Sequence, residues 1–162
     1  MIYNRLCWDA QTYDEVSRLV QYRWGQQILQ RRKWRGNEII MDAGCGTGLL
    51  TKLLAQRVSI GKVYGVDTDS NMIKQAKSNL KGLENVELVR SDFSNVKLPT
   101  KLDVIFSNAS LHWVRDHAKV FQHFWNMLKY DSSEPSQLLI QCGGYGNLQR
   151  ILLLAQRVTE LN

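Results

Sequence analysis

The chain has 162 residues, 44% hydrophobic and 22% charged, with two prolines and a formal net charge of +6. That length suits one domain with one core, the composition excludes extensive disorder, and no apolar run reaches the roughly 18 residues of a membrane span. Cys7, Cys45 and Cys142 are widely separated without C-x-x-C spacing, so neither a disulfide framework nor a metal site is expected.

Residues 11–31 carry Val16, Leu19, Val20, Ile28 and Leu29 at helical spacing, with Gly25 as the weak point of the helix. The cluster Arg31-Arg32-Lys33-Trp34-Arg35 follows. It reads either as a solvated helix end or as a patch for an anion or nucleic acid, and basic charge alone does not decide between them. Five β-type runs come next, at 38–42, 62–67, 86–91, 102–107 and 137–142, alternating with helical patterns. These helices are predicted after residue 48, over 71–80 with Ser70 as cap, over 117–129 with Asp116 as cap, and over 148–161. In the 117–129 helix, Val120, Phe121, Phe124, Trp125 and Leu128 are expected to pack on a sheet as one stripe. Alternation of this kind implies an α/β fold with a parallel sheet and helices on both faces. No secretory or lipidation pattern marks residues 1–10, and the expected location is the cytoplasm.

The first run ends Asp42-Ala43-Gly44-Cys45-Gly46-Thr47-Gly48, a strand, an acid and then alternate glycines that let a backbone turn sharply and a ligand approach closely. A dinucleotide fingerprint needs a glycine where Leu49 stands, so a nicotinamide or flavin cofactor is disfavoured. The second run ends in Asp67, whose carboxylate can accept both hydroxyls of a ribose. The third ends near Asp92-Phe93, where an acid can accept from the exocyclic amine of adenine or simply close a turn. The fourth continues through Asn108 into Ser110-Leu111-His112-Trp113. All four ends fall on the carboxyl edge, where open α/β sheets bind ligands.

In these ordered motifs, Asp42 to Gly48, Val66-Asp67, Asp92-Phe93 and Asn108 to Trp113, the chain resembles the class I S-adenosylmethionine-dependent methyltransferases. Ser107 to Trp113, Asp116-His117, Tyr13, Ser17, Gln21 and Trp24-Gly25 liken it to the trans-aconitate methyltransferase-like branch. The resemblance implies a three-layer Rossmann-like sheet of order 3-2-1-4-5, with an N-terminal helical lid segment over 1–35 and a cofactor-binding domain over 36–162.

It also implies site roles. Gly44, Cys45, Gly46 and Gly48 would wrap the methionine moiety of S-adenosylmethionine, whose product is S-adenosylhomocysteine, while Asp42 and the Asn108 carbonyl would hold the ammonium. Asp67 would take the ribose, Thr68 and Met72 would flank the adenine, and Asp92 with the Phe93 amide would read its edge. Tyr13, Ser17, Gln21 and Trp24 can share a helix face over the pocket or serve ordinary packing. His112, Trp113, Tyr13, Arg18 and Arg115 are the groups expected near the methyl acceptor, which the branch resemblance makes a small carboxylic acid. His117 and His123 are expected to be structural.

Two rivals stand beside this. A nucleic-acid methyltransferase is suggested by the basic balance, but Asn108-Ala109-Ser110-Leu111 replaces the N/D-P-P-Y/F turn of many base amino-methyltransferases. The other is a cofactor-binding module without independent activity. The resemblance implies a C-terminal hairpin, strands six and seven, after the fifth strand and its helix, so the domain over 36–162 is expected to be a fragment or shortened version truncated at its C-terminus. The uncharged run at 137–142 is then expected as a sheet edge that a dimer partner could cover.

Overall fold

The computed structural model describes residues 21–130 and 135–144. Tyr13, Ser17, Arg18 and the helix expected over 148–161 lie outside the described residues. In chain order the elements are α1 (Gln21–Gln30), β1 (Ile39–Ala43), α2 (Leu49–Arg57), β2 (Lys62–Asp67), α3 (Ser70–Asn79), β3 (Val86–Arg90), β4 (Val104–Asn108), a short 3-10 turn (Leu111–Trp113), α4 (His117–Met127) and β5 (Gln137–Gln141). The strands form one parallel sheet of order β3-β2-β1-β4-β5, the order the sequence implied. Among the described residues no helix is long and apolar enough to cross a membrane, and β5 pairs only with β4.

Strand side chains alternate between faces, and that alternation builds two cores. Met41, Tyr64, Val66 and Ile105 face α4 and pack with Val120, Phe124 and Met127. Ile40, Val63, Val104 and Phe106 face the other way, against Leu54 and Ala55 of α2, Val58 just after it and Leu29 of α1. β1 is buried through Ile40, Met41, Asp42 and Ala43, as a central parallel strand must be.

Several local expectations are corrected. Asp69, not Ser70, caps α3: its carboxylate accepts from the Asn71 and Met72 amides at 2.7 and 3.0 Å, and Ser70 is the first helical residue. The Asp116 cap is present, accepting from the Lys119 amide at 2.9 Å. On α4 the buried stripe is Val120, Phe124 and Met127, while Phe121 and Trp125 are 41% and 67% exposed. The stripe is narrower than expected because residues 121 and 125 lie a quarter turn off the sheet-facing line. Gly25 is buried, and a Cβ there would come within 2.4 Å of Leu50: the glycine lets α1 lie close against α2.

The basic cluster is largely spoken for. Buried Glu38 accepts from the Arg35 and Gly36 amides at 2.8 and 3.0 Å, and the Arg32 and Arg35 guanidinium groups lie 3.6 and 3.8 Å from it. Asp103 accepts from the Ile39 amide at 2.8 Å and pairs with Lys129 at 2.7 Å and Arg35 at 3.4 Å. Arg32 and Arg35 thus neutralise acids at the amino-terminal edge of the sheet, while Arg31 and Lys33 remain exposed there.

Candidate functional site

The strand order reverses direction between β1 and β4, and the chain leaves these neighbours on opposite faces, opening a crevice at their carboxyl ends. Its walls are Gln21 and Tyr22 of α1, Asp42 of β1, the loop Gly44, Cys45, Gly46 and Thr47, Leu49 and Leu50 of α2, and Asn108 of β4. Tyr22, Thr47, Leu49 and Leu50 were not among the residues expected there. Only the packing of α1 on α2 brings Tyr22 to the loop, and no local signal encodes that.

Glycine shapes the loop at specific points. Gly44 has φ +78°, and a Cβ on it would come within 1.9 Å of the Ser110 hydroxyl. Its amide and that of Cys45 donate to the Val66 carbonyl at 2.8 and 3.0 Å, tying the loop to β2. Gly46 has φ +54° and open space where a Cβ would project, so the crevice side of the loop is clear for a ligand. Gly48 plays a different part: a Cβ there would meet Leu80 at 2.7 Å, so it permits close packing of the α2 start on the end of α3.

Asp42 is only 2% exposed. The Thr51 hydroxyl donates to its Oδ2 at 2.6 Å, and among the described residues no cationic side chain pairs with it. Burial pushes its carboxyl up to about 7, against the lowering effect of the Thr51 hydrogen bond, with the charge of Asp67 adding to the rise. Asn108 donates from Nδ2 to the Gln21 carbonyl at 3.1 Å, while its Oδ1 is buried with no partner. Two acceptors, the Asp42 carboxyl and the orphaned Asn108 Oδ1, therefore border the same crevice. Such an acceptor set fits a cation with N–H groups, and beside an open glycine loop it fits the amino-acid end of S-adenosylmethionine.

Asp67 stands at the tip of β2, its Oδ2 accepting from the Gly46 amide and its Oδ1 from the Asp69 amide, both at 2.9 Å. Burial raises its pKa, opposed by the amide hydrogen bonds from Asp69 and Gly46. Thr68 is exposed beside it, and Met72 is buried at the start of α3. Asp92 is exposed, accepts from the Ser94 amide at 2.8 Å and so closes a turn, while Phe93 is buried against Phe124 with ring centroids 6.0 Å apart. None of Asp67, Thr68, Met72, Asp92 and Phe93 is part of the crevice wall. They extend along the same strand edge toward β3. Trp24, 45% exposed, also stands outside that wall.

Beyond β4, Ala109 adopts φ +53°, a strained turn for a residue with a Cβ, and directs the chain back so that Ser110 sits over Gly44. His112 and Trp113 follow on the buried Leu111 anchor, exposed, with ring centroids 5.1 Å apart. His117 and His123 hydrogen-bond the carbonyls of Leu111 and Val96 at 3.1 and 3.0 Å, which supports a structural part for both. The described residues contain no cluster able to hold a metal ion.

Comparison with known proteins agrees with this geometry. A protein of Invertebrate iridescent virus 6 named as a methyltransferase is 32% identical over 126 residues, 78% of this chain and 46% of its own length. The trans-aconitate 2-methyltransferase of Escherichia coli O1:K1 is 38% identical over 102 residues, 63% of this chain and 39% of that enzyme. The chain thus spans less than half the length of these two relatives. Among solved structures, a SAM dependent methyltransferase from Aquifex aeolicus superposes with a TM-score of 0.64 at 25% identity, covering 75% of this chain and 68% of that one. The family model described as "Methyltransferase domain" matches residues 40–131, from the middle of β1 to beyond α4. With glycine loop, strand order and crevice in place, the chain belongs to the methyltransferase domain family, within the class I S-adenosylmethionine-dependent methyltransferases.

Proposed function

We propose that this protein transfers the methyl group of S-adenosylmethionine to the carboxylate of a small organic acid. The observation that carries the donor half is the pairing of buried Asp42 with the orphaned Asn108 Oδ1 at the glycine loop, an acceptor set suited to an ammonium group. When bound, the donor supplies a methyl group on a positively charged sulfur, already activated for attack. In this reading the loop from Gly44 to Gly48 holds the amino-acid portion, Asp67 receives the ribose hydroxyls, and Thr68, Met72, Asp92 and Phe93 form the adenine end.

The acceptor half rests on chemistry and kinship. A carboxylic acid is ionised at neutral pH and needs positioning, not a general base. His117 and His123 are each engaged with a backbone carbonyl and the crevice wall contains no histidine, which suits an acceptor that carries its own negative charge. The trans-aconitate 2-methyltransferase relative points the same way. His112, Trp113 and Arg115, with Tyr13 and Arg18, are assigned to positioning that acid.

The test is transfer of labelled methyl from S-adenosylmethionine to a panel of mono-, di- and tricarboxylic acids, with unfractionated RNA and protein alongside. Label in a base-labile ester of one acid is the expected result. Label confined to RNA would replace the acid reading with the nucleic-acid one, and binding of S-adenosylhomocysteine without transfer to any acceptor would leave only a cofactor-binding module.

A further inference from the structure

Asp42 holds a position that simple cradling of a ligand does not require. Its carboxyl is 2% exposed on the central strand of the sheet, with one oxygen taken by Thr51 and the other without a hydrogen-bond donor among the described residues. Among the described residues the titratable groups around it are Asp67 of β2, the buried thiol of Cys45 in the loop and the phenol of Tyr22 from α1. From α2 and β4 come only the neutral Thr51 and Asn108. Not one of these is a cation, so among the described residues a negative charge on Asp42 has no local compensation, and a cationic group on a ligand would supply it. Taking the crevice as the seat of the donor's amino-acid end, as proposed above, an ammonium is the cation that would arrive.

We propose that Asp42 is a proton-exchanging ligand group: a neutral acid in the ligand-free protein and a carboxylate when an ammonium lies in the crevice, so that binding an ammonium-bearing nucleoside expels a proton. The O–H bond of the acid breaks, the proton passes to the buffer, and the electron pair stays on the carboxylate, which accepts an N–H of the ammonium. Thr51 keeps donating to Oδ2 throughout, and Asn108 Oδ1 accepts a second N–H. Burial with the Asp67 charge nearby holds the unliganded carboxyl about at neutrality, so the exchange falls in an accessible pH range. The protein thereby recognises the amino group by charge as well as by shape. A nucleoside without that group gains nothing from the exchange.

Calorimetry on the full chain tests this, with S-adenosylhomocysteine and 5′-methylthioadenosine each titrated in phosphate and in Tris from pH 6 to 8.5. The latter keeps adenine, ribose and sulfur but has no ammonium, so any contribution of Asp67 is common to both ligands and cancels in the difference. The expected excess for S-adenosylhomocysteine is release of roughly one proton at pH 6, about half at pH 7 and close to none at pH 8.5. Asp42→Asn should bind without this excess. Thr51→Val, which keeps the carboxyl and removes the lowering hydrogen bond, should move the half-release point to higher pH. Binding of S-adenosylhomocysteine with no excess at pH 6 to 7, or an excess that survives in D42N, overturns the proposal while leaving the donor reading intact. Failure of both nucleosides to bind overturns the donor reading and this one with it.

Discussion

Asp67 Oδ2 accepts the Gly46 amide at 2.9 Å, so the acid at the tip of β2 holds the loop that follows β1. The side chain proposed to receive the ribose therefore also shapes the glycine loop proposed to hold the amino-acid end, and its Oδ1 organises the turn into α3 through the Asp69 amide. Asp67→Ala is expected to weaken S-adenosylhomocysteine binding by about 1–3 kcal/mol, the range for lost hydrogen bonds to a charged group. Asp67→Asn, which keeps one carbonyl acceptor, should lose less. Titration calorimetry checks both, and unchanged affinity in D67A would refute the placement.

Gly44→Ala meets two obstacles at once. Its φ of +78° disfavours any Cβ, and that Cβ would stand 1.9 Å from Ser110 Oγ and 2.5 Å from Ser110 Cβ. Thermal and denaturant unfolding should show a loss of about 2–4 kcal/mol. Adding Ser110→Gly removes the collision but not the φ strain, so the double variant should recover part of the loss. Full recovery would show that the backbone is relaxed at Gly44.

Unliganded Asp42 should weaken the fold as pH rises. Its folded carboxyl lies at about 7 against an ordinary value of 3.8, so between those values the native state binds more protons than the unfolded chain and stability falls with increasing pH. Asp42→Asn lacks this dependence. It should melt above the parent protein at pH 7.5, by an amount on the order of 2–4 kcal/mol, with the gap closing toward pH 4. Parallel melting curves across that range would contradict it.

Asp103 has the opposite sign. Burial works to raise its carboxyl, but the Ile39 amide, Lys129 and Arg35 outweigh that and hold it below the ordinary value. Its stabilisation is therefore present in full above about pH 4 and lost as pH falls through the folded value. Asp103→Asn should cost about 1–3 kcal/mol at pH 7 in urea unfolding, with the difference shrinking below pH 3. A constant difference down to pH 2 would exclude an ionic contribution.

Much of this molecule is legible in short stretches of sequence because the relevant physics is local. Ile39 to Ala43 is apolar enough to be a central strand, Gly44, Gly46 and Gly48 stand where positive φ is needed, and the acids close the strands at Asp42 and Asp67. The Asp116 cap could be read three residues ahead of the amide it receives, for the same reason. Where two local solutions compete, the reading fails by a residue: Asp69 and Ser70 can both cap α3, and only the extended backbone at Asp69 selects it.

The sequence by itself determined the alternation of strands and helices, hence the parallel sheet and the edge that carries the site. It could do so because hydrophobic period and turn chemistry act between near neighbours. Only the tertiary structure decided which glycines border open space and which serve packing. It set Gly46 against open space but Gly48 against Leu80, although the two stand alike in the loop sequence, and it set Gly25 against Leu50. It also decided that Arg32 and Arg35 are committed to Glu38 and Asp103 and that, among the described residues, no cation stands beside Asp42 at its crevice. Burial and charge compensation depend on contacts between residues far apart in the chain, and the folded packing alone specifies them.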